Sequence, residues 1–218
     1  PLDLRISIPN AFFVRGYGLE SEWGGNLQIS GTTALPSITG SISVLRGTLD
    51  LAGILRKSSN IGAAKIGMDL GAEGVWSAYQ AFGLAEPVGS GFPGEAGGVM
   101  RHYTEWGDIA TATSSYGYGL AVSALQLGRA YSALADDGRL RPVSLLRLDE
   151  AMDEYRQVIE PEHAERVRHW LEGVVAQEGT ARRAAVAGYR VGGKTGTTWK
   201  VKAGGYDKNS HMALFVGM

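Results

Sequence analysis

The stretch Leu49-Asp50-Leu51-Ala52-Gly53-Ile54-Leu55-Arg56-Lys57-Ser58-Ser59-Asn60 is where the chain changes texture, and the reading of the fold turns on it. Before it, apolar residues alternate: Leu2, Leu4, Ile6 and Ile8 fall on one face, then Leu27 and Ile29, then Ile38, Ile42 and Val44. Period two punctuated by Gly, Pro and Asn predicts short antiparallel strands over residues 1–53. After it the spacing becomes helical, as in Leu125, Gly128 and Leu134, and again in Val167, Trp170, Leu171 and Val174, a segment entered through Pro161. A boundary is therefore expected at Leu51–Leu55, with an all-β segment over 1–53 and an α+β unit over 54–218.

Further along, Val88 to Val99 holds five glycines and a proline, which is loop composition. Gly89-Ser90-Gly91-Phe92-Pro93-Gly94 formally matches G-x-G-x-x-G. It neither follows a clear strand nor opens a helix, and Pro93 sits inside it, so a dinucleotide site is rejected. Tyr189 to Thr198 and Met212 to Met218 read as strands joined by a polar turn, hence a hairpin. With no further strand beside them, their edges are expected to be aggregation-prone.

At 218 residues the chain is long enough for one large domain or two small ones. The net charge of −1, with both signs interspersed, argues against nucleic acid or an anionic membrane as a partner. The absence of cysteine removes disulfides and thiolate metal sites without choosing a compartment. The longest apolar runs fall far short of the roughly 20 residues of a membrane-spanning helix. The chain opens at Pro1 and stops at Met218 inside an apolar run, so both ends are expected to be cut. His102, His163, His169 and His211 lack ligand spacing, and neither a metal nor another cofactor is expected. Glu162, Glu165, Arg166 and Arg168 read as the solvated face of an amphipathic helix.

Two polar motifs remain. Ser58-Ser59-Asn60 stands before an Ala-rich helical segment, and Lys194-Thr195-Gly196-Thr197 ends a strand. Taken singly, the first is an ordinary helix cap and the second a strand end with a turn. Taken together they offer acyl-transfer chemistry, which needs a proton path, an amide to hold the substrate, and a clamp. Ser58 can pass a proton and Asn60 can hold an amide. Lys194, Thr195 and Thr197 supply an ammonium and two hydroxyls for a carboxylate, and Gly196 leaves room for substrate along the strand. These are two of the three signatures of penicillin-handling serine enzymes. The third, S-x-x-K, is absent: the residues three before the six lysines are Ile54, Gly62, Val191, Thr197, Trp199 and Gly205.

Through Lys57-Ser58-Ser59-Asn60-Ile61-Gly62, Phe82-Gly83-Leu84, Gly91-Phe92-Pro93-Gly94-Glu95, Tyr116-Gly117-Tyr118-Gly119-Leu120 and Lys194-Thr195-Gly196-Thr197, residues 54–218 resemble the transpeptidase domain of class B, division-type penicillin-binding proteins. The resemblance implies a partial fold of that family, an antiparallel sheet flanked by helices. It implies peptidoglycan D,D-transpeptidation in the bacterial envelope, on the periplasmic side of the inner membrane. It also implies stem peptides and β-lactams as ligands, and division-complex proteins as partners. Ser58, Asn60 and Lys194 take catalytic roles, Thr195, Gly196 and Thr197 bind substrate, and Thr197 lends its N–H to the oxyanion hole. Without the S-x-x-K serine, the transpeptidase is expected to be inactive in this chain, and no acylation by a penicillin is expected.

Residues 1–53 resemble something else. Ile8-Pro9-Asn10, Phe13-Val14-Arg15-Gly16, Gly18-Leu19-Glu20-Ser21-Glu22-Trp23, Gly40-Ser41-Ile42 and Arg46-Gly47-Thr48-Leu49-Asp50-Leu51 are similar to the C-terminal region of the translocation and assembly module family, TamB. That implies a β-rich periplasmic module for outer-membrane protein or lipid transport. The chain then reads as a chimera joined within Leu49–Gly53, and the alternative function is that of the first part.

Overall fold

The computed structural model describes residues 2–16, 19–32, 36–148, 153–202 and 205–218, and the chain divides into two compact units, Pro1–Gly53 and Ile54–Met218. The first unit is a meander of three antiparallel strands, β1 (Leu2–Gly16), β2 (Leu19–Gly31) and β3 (Pro36–Leu49), in that order across the sheet. The register sets Leu4 opposite Ile29 and Ile29 opposite Ile38, with Ile6 opposite Leu27. Since side chains alternate along a strand, these residues line one face. On the other face Arg5 Nε donates to Gln28 Oε1 at 3.2 Å, Ser7 Oγ to Asn26 Oδ1 at 2.7 Å, and Gln28 Nε2 to Asp3.

These strands run 15, 13 and 14 residues, longer than the short runs expected. Pro9-Asn10 and Gly24-Gly25, which read as punctuation, lie inside strands near register shifts at Ile8/Phe12 and Glu22/Trp23. A bulge accommodates a missing N–H or a bare glycine without ending the strand. Gly40 is fixed by space: its φ is +124° and a Cβ there would lie 2.1 Å from the Asn26 carbonyl oxygen.

Helix α1 (Leu51–Lys57) carries the division point, and the second unit continues with α2 (Asn60–Ala81), bent at Gly71 where φ is 74°. There follow β4 (Val99–Met100), α3 (Asp108–Ser114), β5 (Leu120–Ala121), α4 (Ala124–Ala135), β6 (Arg139–Leu140), β7 (Arg156–Gln157) and α5 (Pro161–Val175). The unit closes with the hairpin β8 (Gly193–Lys202) and β9 (Gly205–Gly217). Helices and antiparallel pairs thus make an α+β unit preceded by an all-β segment.

The loop Pro87–Gly98 is held by its own carboxylate: Glu95 accepts from the N–H groups of Val88, Gly89 and Ser90 and from Ser90 Oγ. Gln126, 1% exposed, completes the capping box of α4 with Ser123 and donates from Nε2 to the Glu86 and Gly97 carbonyls at 2.7 and 2.9 Å. One buried amide therefore ties a helix start to both ends of the loop.

Helix α5 forms the floor. Leu171, Val174 and Val175 are buried with Ala181, and Leu55, Tyr131, Leu134, Val167, Ala184, Val191 and Met218 pack on them. Arg168 departs from the solvated role read for it in the sequence: it donates to the Leu134 carbonyl at 2.6 Å and to Asp137 at 3.0 Å, tying α5 to the end of α4. A guanidinium on a flexible stem reaches back to unpaired helix-end carbonyls, which face periodicity does not reveal. In the hairpin, Lys194 pairs with Val216 and Gly196 with Leu214. The polar stretch expected as its turn is mostly strand, with a register shift between Trp199 and Lys200; residues 203–204, at the tip, lie outside the described residues.

Candidate active site

Two arms meet on the α5 core. Leu55, near the end of α1, and Val191, just before β8, both pack against the cluster of Leu171, Val174 and Val175. Ser58 lies three residues beyond the first anchor and Lys194 three beyond the second. The result is a hydrogen bond of 2.6 Å between Lys194 Nζ and Ser58 Oγ, across 136 positions of sequence. The approach of β8 requires glycine: a Cβ on Gly193 would lie 2.4 Å from the Phe215 ring and 2.6 Å from the Val216 carbonyl oxygen.

The first arm is shaped by how α1 ends. Ser58 N–H donates to the Leu55 carbonyl at 3.2 Å and Ser59 N–H to the Ile54 carbonyl at 3.0 Å. That 5→2 and 6→1 pair is a Schellman motif, whose penultimate position needs left-handed backbone. Ser58 fills it with φ 55°, a conformation usually left to glycine, so a side chain is held at a strained corner and exposed. Ser59 takes the capping role instead, accepting from Gly62 N–H at 3.1 Å and starting α2. The cap reading and the chemical reading of the motif thus fall on neighbouring serines. Asn60 is the first residue of α2 and is exposed beside this corner.

On the second arm Lys194 Nζ also donates to the Thr195 carbonyl at 3.0 Å. Its ammonium is half-buried, and among the described residues no carboxylate stands within ion-pair distance. Desolvation pushes its pKa below the ordinary lysine value. Thr195 Oγ1 lies 3.2 Å from Thr180 Oγ1, and Thr197 is exposed further along β8. The missing Cβ of Gly196 points at Leu214, whose side chain would be 3.2 Å away. On that face the glycine makes room for its cross-strand partner.

Thr180 escaped the sequence reading. It sits in a tight turn after α5, where Ala181 N–H donates to the Val174 carbonyl at 2.9 Å and a Cβ on Gly179 would lie 1.9 Å from that same oxygen. The only signal is a Gly-Thr pair after a helix, which no periodicity distinguishes from any turn. Lys57 Nζ reaches the adjoining Glu178 carbonyl at 3.4 Å. Away from the site, His102 packs on Trp76 and Tyr103, with ring centroids at 4.8 and 4.4 Å.

The penicillin binding protein transpeptidase domain family matches residues 15–218. The chain belongs to that family. A probable peptidoglycan D,D-transpeptidase, PbpC, of Pseudomonas aeruginosa is 42% identical over 173 residues, 79% of this chain and 30% of the relative. The peptidoglycan D,D-transpeptidase FtsI of Escherichia coli K12 is 37% identical over 171 residues, 78% of this chain and 29% of that one. Among solved structures, the apo transpeptidase domain of penicillin-binding protein 3 from Burkholderia pseudomallei superposes with TM-score 0.75 at 44% identity, covering 87% of this chain and 57% of that chain. The chain spans about three tenths of the length of the curated relatives it matches. The family match begins at residue 15, inside the segment assigned from sequence to TamB, and lends that assignment and the chimera no support.

Proposed function

We propose that residues 54–218 form the S-x-N and K-T-G wall of a peptidoglycan D,D-transpeptidase cleft, which takes the D-alanyl-D-alanine end of a stem peptide or the carboxylate of a β-lactam. The observation that carries this reading is the 2.6 Å contact between Lys194 Nζ and Ser58 Oγ, which joins the two motifs at one point. In it Ser58 and Lys194 share a proton path, and Asn60 holds the substrate amide. Lys194 and the hydroxyls of Thr195 and Thr197 hold the carboxylate, and the Gly196 backbone runs beside the bound chain. No Ser-x-x-Lys occurs in the sequence, so the wall is proposed as a binding surface rather than a complete transpeptidation centre. The relatives' names, peptidoglycan D,D-transpeptidases, support an envelope location; a periplasmic face and, at division, septal partners complete the proposal.

Titration of isotope-labelled protein with a D-Ala-D-Ala-terminated pentapeptide tests the reading. Shifts should gather at Ser58, Asn60 and Thr195–Thr197, and K194A or T195V should weaken binding about 5- to 20-fold, the loss of one charge-assisted hydrogen bond. Shifts confined to other surfaces would sink it.

For residues 1–53 we propose a separate reading, a TamB-like β-rich module for lipid or outer-membrane protein. The support is a meander with a polar ladder on one face and Leu4, Ile6 and Ile38 exposed on the other. Phospholipid or unfolded-barrel binding that survives deletion of residues 1–50 would remove it.

A further inference from the structure

The Ser58–Lys194 pair can do more than clamp a ligand. We propose that Ser58 Oγ is itself an acyl acceptor, activated by Lys194 Nζ, toward small activated esters. Four observations converge. The atoms are 2.6 Å apart, within reach for direct proton transfer. Ser58 is exposed at a left-handed corner between two helices, so its hydroxyl is presented outward rather than folded onto a helix. Capping, which would occupy that hydroxyl, is carried by Ser59. And Lys194 is half-buried among a hydroxyl and a carbonyl, with no carboxylate of the described residues to hold it protonated. Serine–lysine pairs are a recognised variant of the nucleophile and base arrangement.

The charged amine donates to Ser58 Oγ and to the Thr195 carbonyl; once it is neutral the first bond reverses, Ser58 O–H donating into the Nζ lone pair while Nζ still donates to the carbonyl. Oγ attacks the ester carbonyl carbon, its proton passes to Nζ, the bond from carbon to the leaving oxygen breaks, and the alkoxide or phenolate departs with the electron pair. Lys194 then releases its proton to the leaving group or to water. The products are an O-acyl-Ser58 and the freed alcohol or phenol. Since the chain has no Ser-x-x-Lys, an adduct at Ser58 has no motif serine to compete with it.

The experiment is p-nitrophenyl acetate labelling of the full chain between pH 6 and 10, read by intact mass and peptide mapping. One acetyl is expected on Ser58, absent in S58A, with a rate that climbs with pH to a plateau whose midpoint lies below the ordinary lysine range. K194R keeps charge and reach but does not give up its proton at these pH values, and it should slow labelling of Ser58 about 100-fold, the scale of a lost general base. A bare Ser58 in a sample whose surface lysines are acetylated would overturn the proposal, as would equal Ser58 labelling in K194R. Pentapeptide titration of unreacted protein is scored separately, so failed labelling with intact binding refutes this proposal alone, and failed binding with intact labelling refutes only the wall.

Discussion

Lys194 holds its ammonium half-buried, with Ser58 Oγ and the Thr195 carbonyl as the acceptors it reaches. Desolvation lowers its pKa in the folded chain, whereas the unfolded amine titrates near the ordinary value of about 10.4. Between those two values the unfolded chain binds more protons, so the contribution of Lys194 to stability rises with pH and is lost as pH falls through the folded value. K194M, which keeps the stem without the charge, should unfold at a urea concentration equal to or above that of the native chain at pH 7. That advantage should vanish above about pH 10.5. A K194M chain clearly weaker at pH 7 would contradict the desolvation account. At this scale motif spacing singled out Ser58 and Lys194, which the structure joins, while the roles read for them and for Asn60 belong to the proposal. Thr180 was not singled out, since a lone threonine in a turn carries no pattern. Arg168 was misread because helical periodicity tells which face a residue occupies and not how far a long side chain reaches.

Among elements, α5 positions both arms, so a cavity beneath it should be felt at the site. L171A removes a side chain that is 3% exposed and shares its cluster with Leu55 and Val191. It should cost about 2–5 kcal/mol in chemical unfolding and broaden the amide signals of Ser58 and Lys194. Signals unchanged under that loss would mean the arms are set elsewhere. The loop Pro87–Gly98 has its own control. The Ser90 hydroxyl, followed by the backbone N–H groups of Ser90, Val88 and Gly89, lowers the Glu95 pKa below the usual carboxylate value. The clasp is therefore complete above the unfolded carboxylate range and is lost as pH falls through the folded value. Amide exchange at Val88–Ser90, corrected for intrinsic rates, should accelerate below about pH 4, and E95Q should show the fast rate at neutral pH. The positions of α4, α5 and the closing hairpin could be read from spacing. The strand lengths of β1–β3 could not, because Pro9-Asn10 and Gly24-Gly25 look like breaks and are absorbed inside a ladder.

For the whole molecule, the division into Pro1–Gly53 and Ile54–Met218 follows the change of texture in the sequence, while the family match crosses it from residue 15. Within the first unit, Leu4 is 52% and Ile38 63% exposed on the apolar side of the sheet. Flat apolar sheet surface drives self-association. I38K should therefore lower the concentration-dependent light scattering of the full chain without shifting its far-ultraviolet circular dichroism. Unchanged scattering would assign association to the exposed Met212, Leu214 and Phe215 of β9.

The contact of Ser58 with Lys194 closes a loop of 136 residues. Loop entropy grows only as the logarithm of length, about 0.6 kcal/mol per doubling, so the separation itself costs little at equilibrium. Its effect is on time: α2, α3, α4 and α5 all lie between its ends, and contacts across so long a separation are slow to close. The pair is then a clock hand for maturation of the second unit. A probe that reports only the joined pair would count molecules that have finished folding, and a lesion anywhere along the intervening chain would delay the signal before it changed the chemistry.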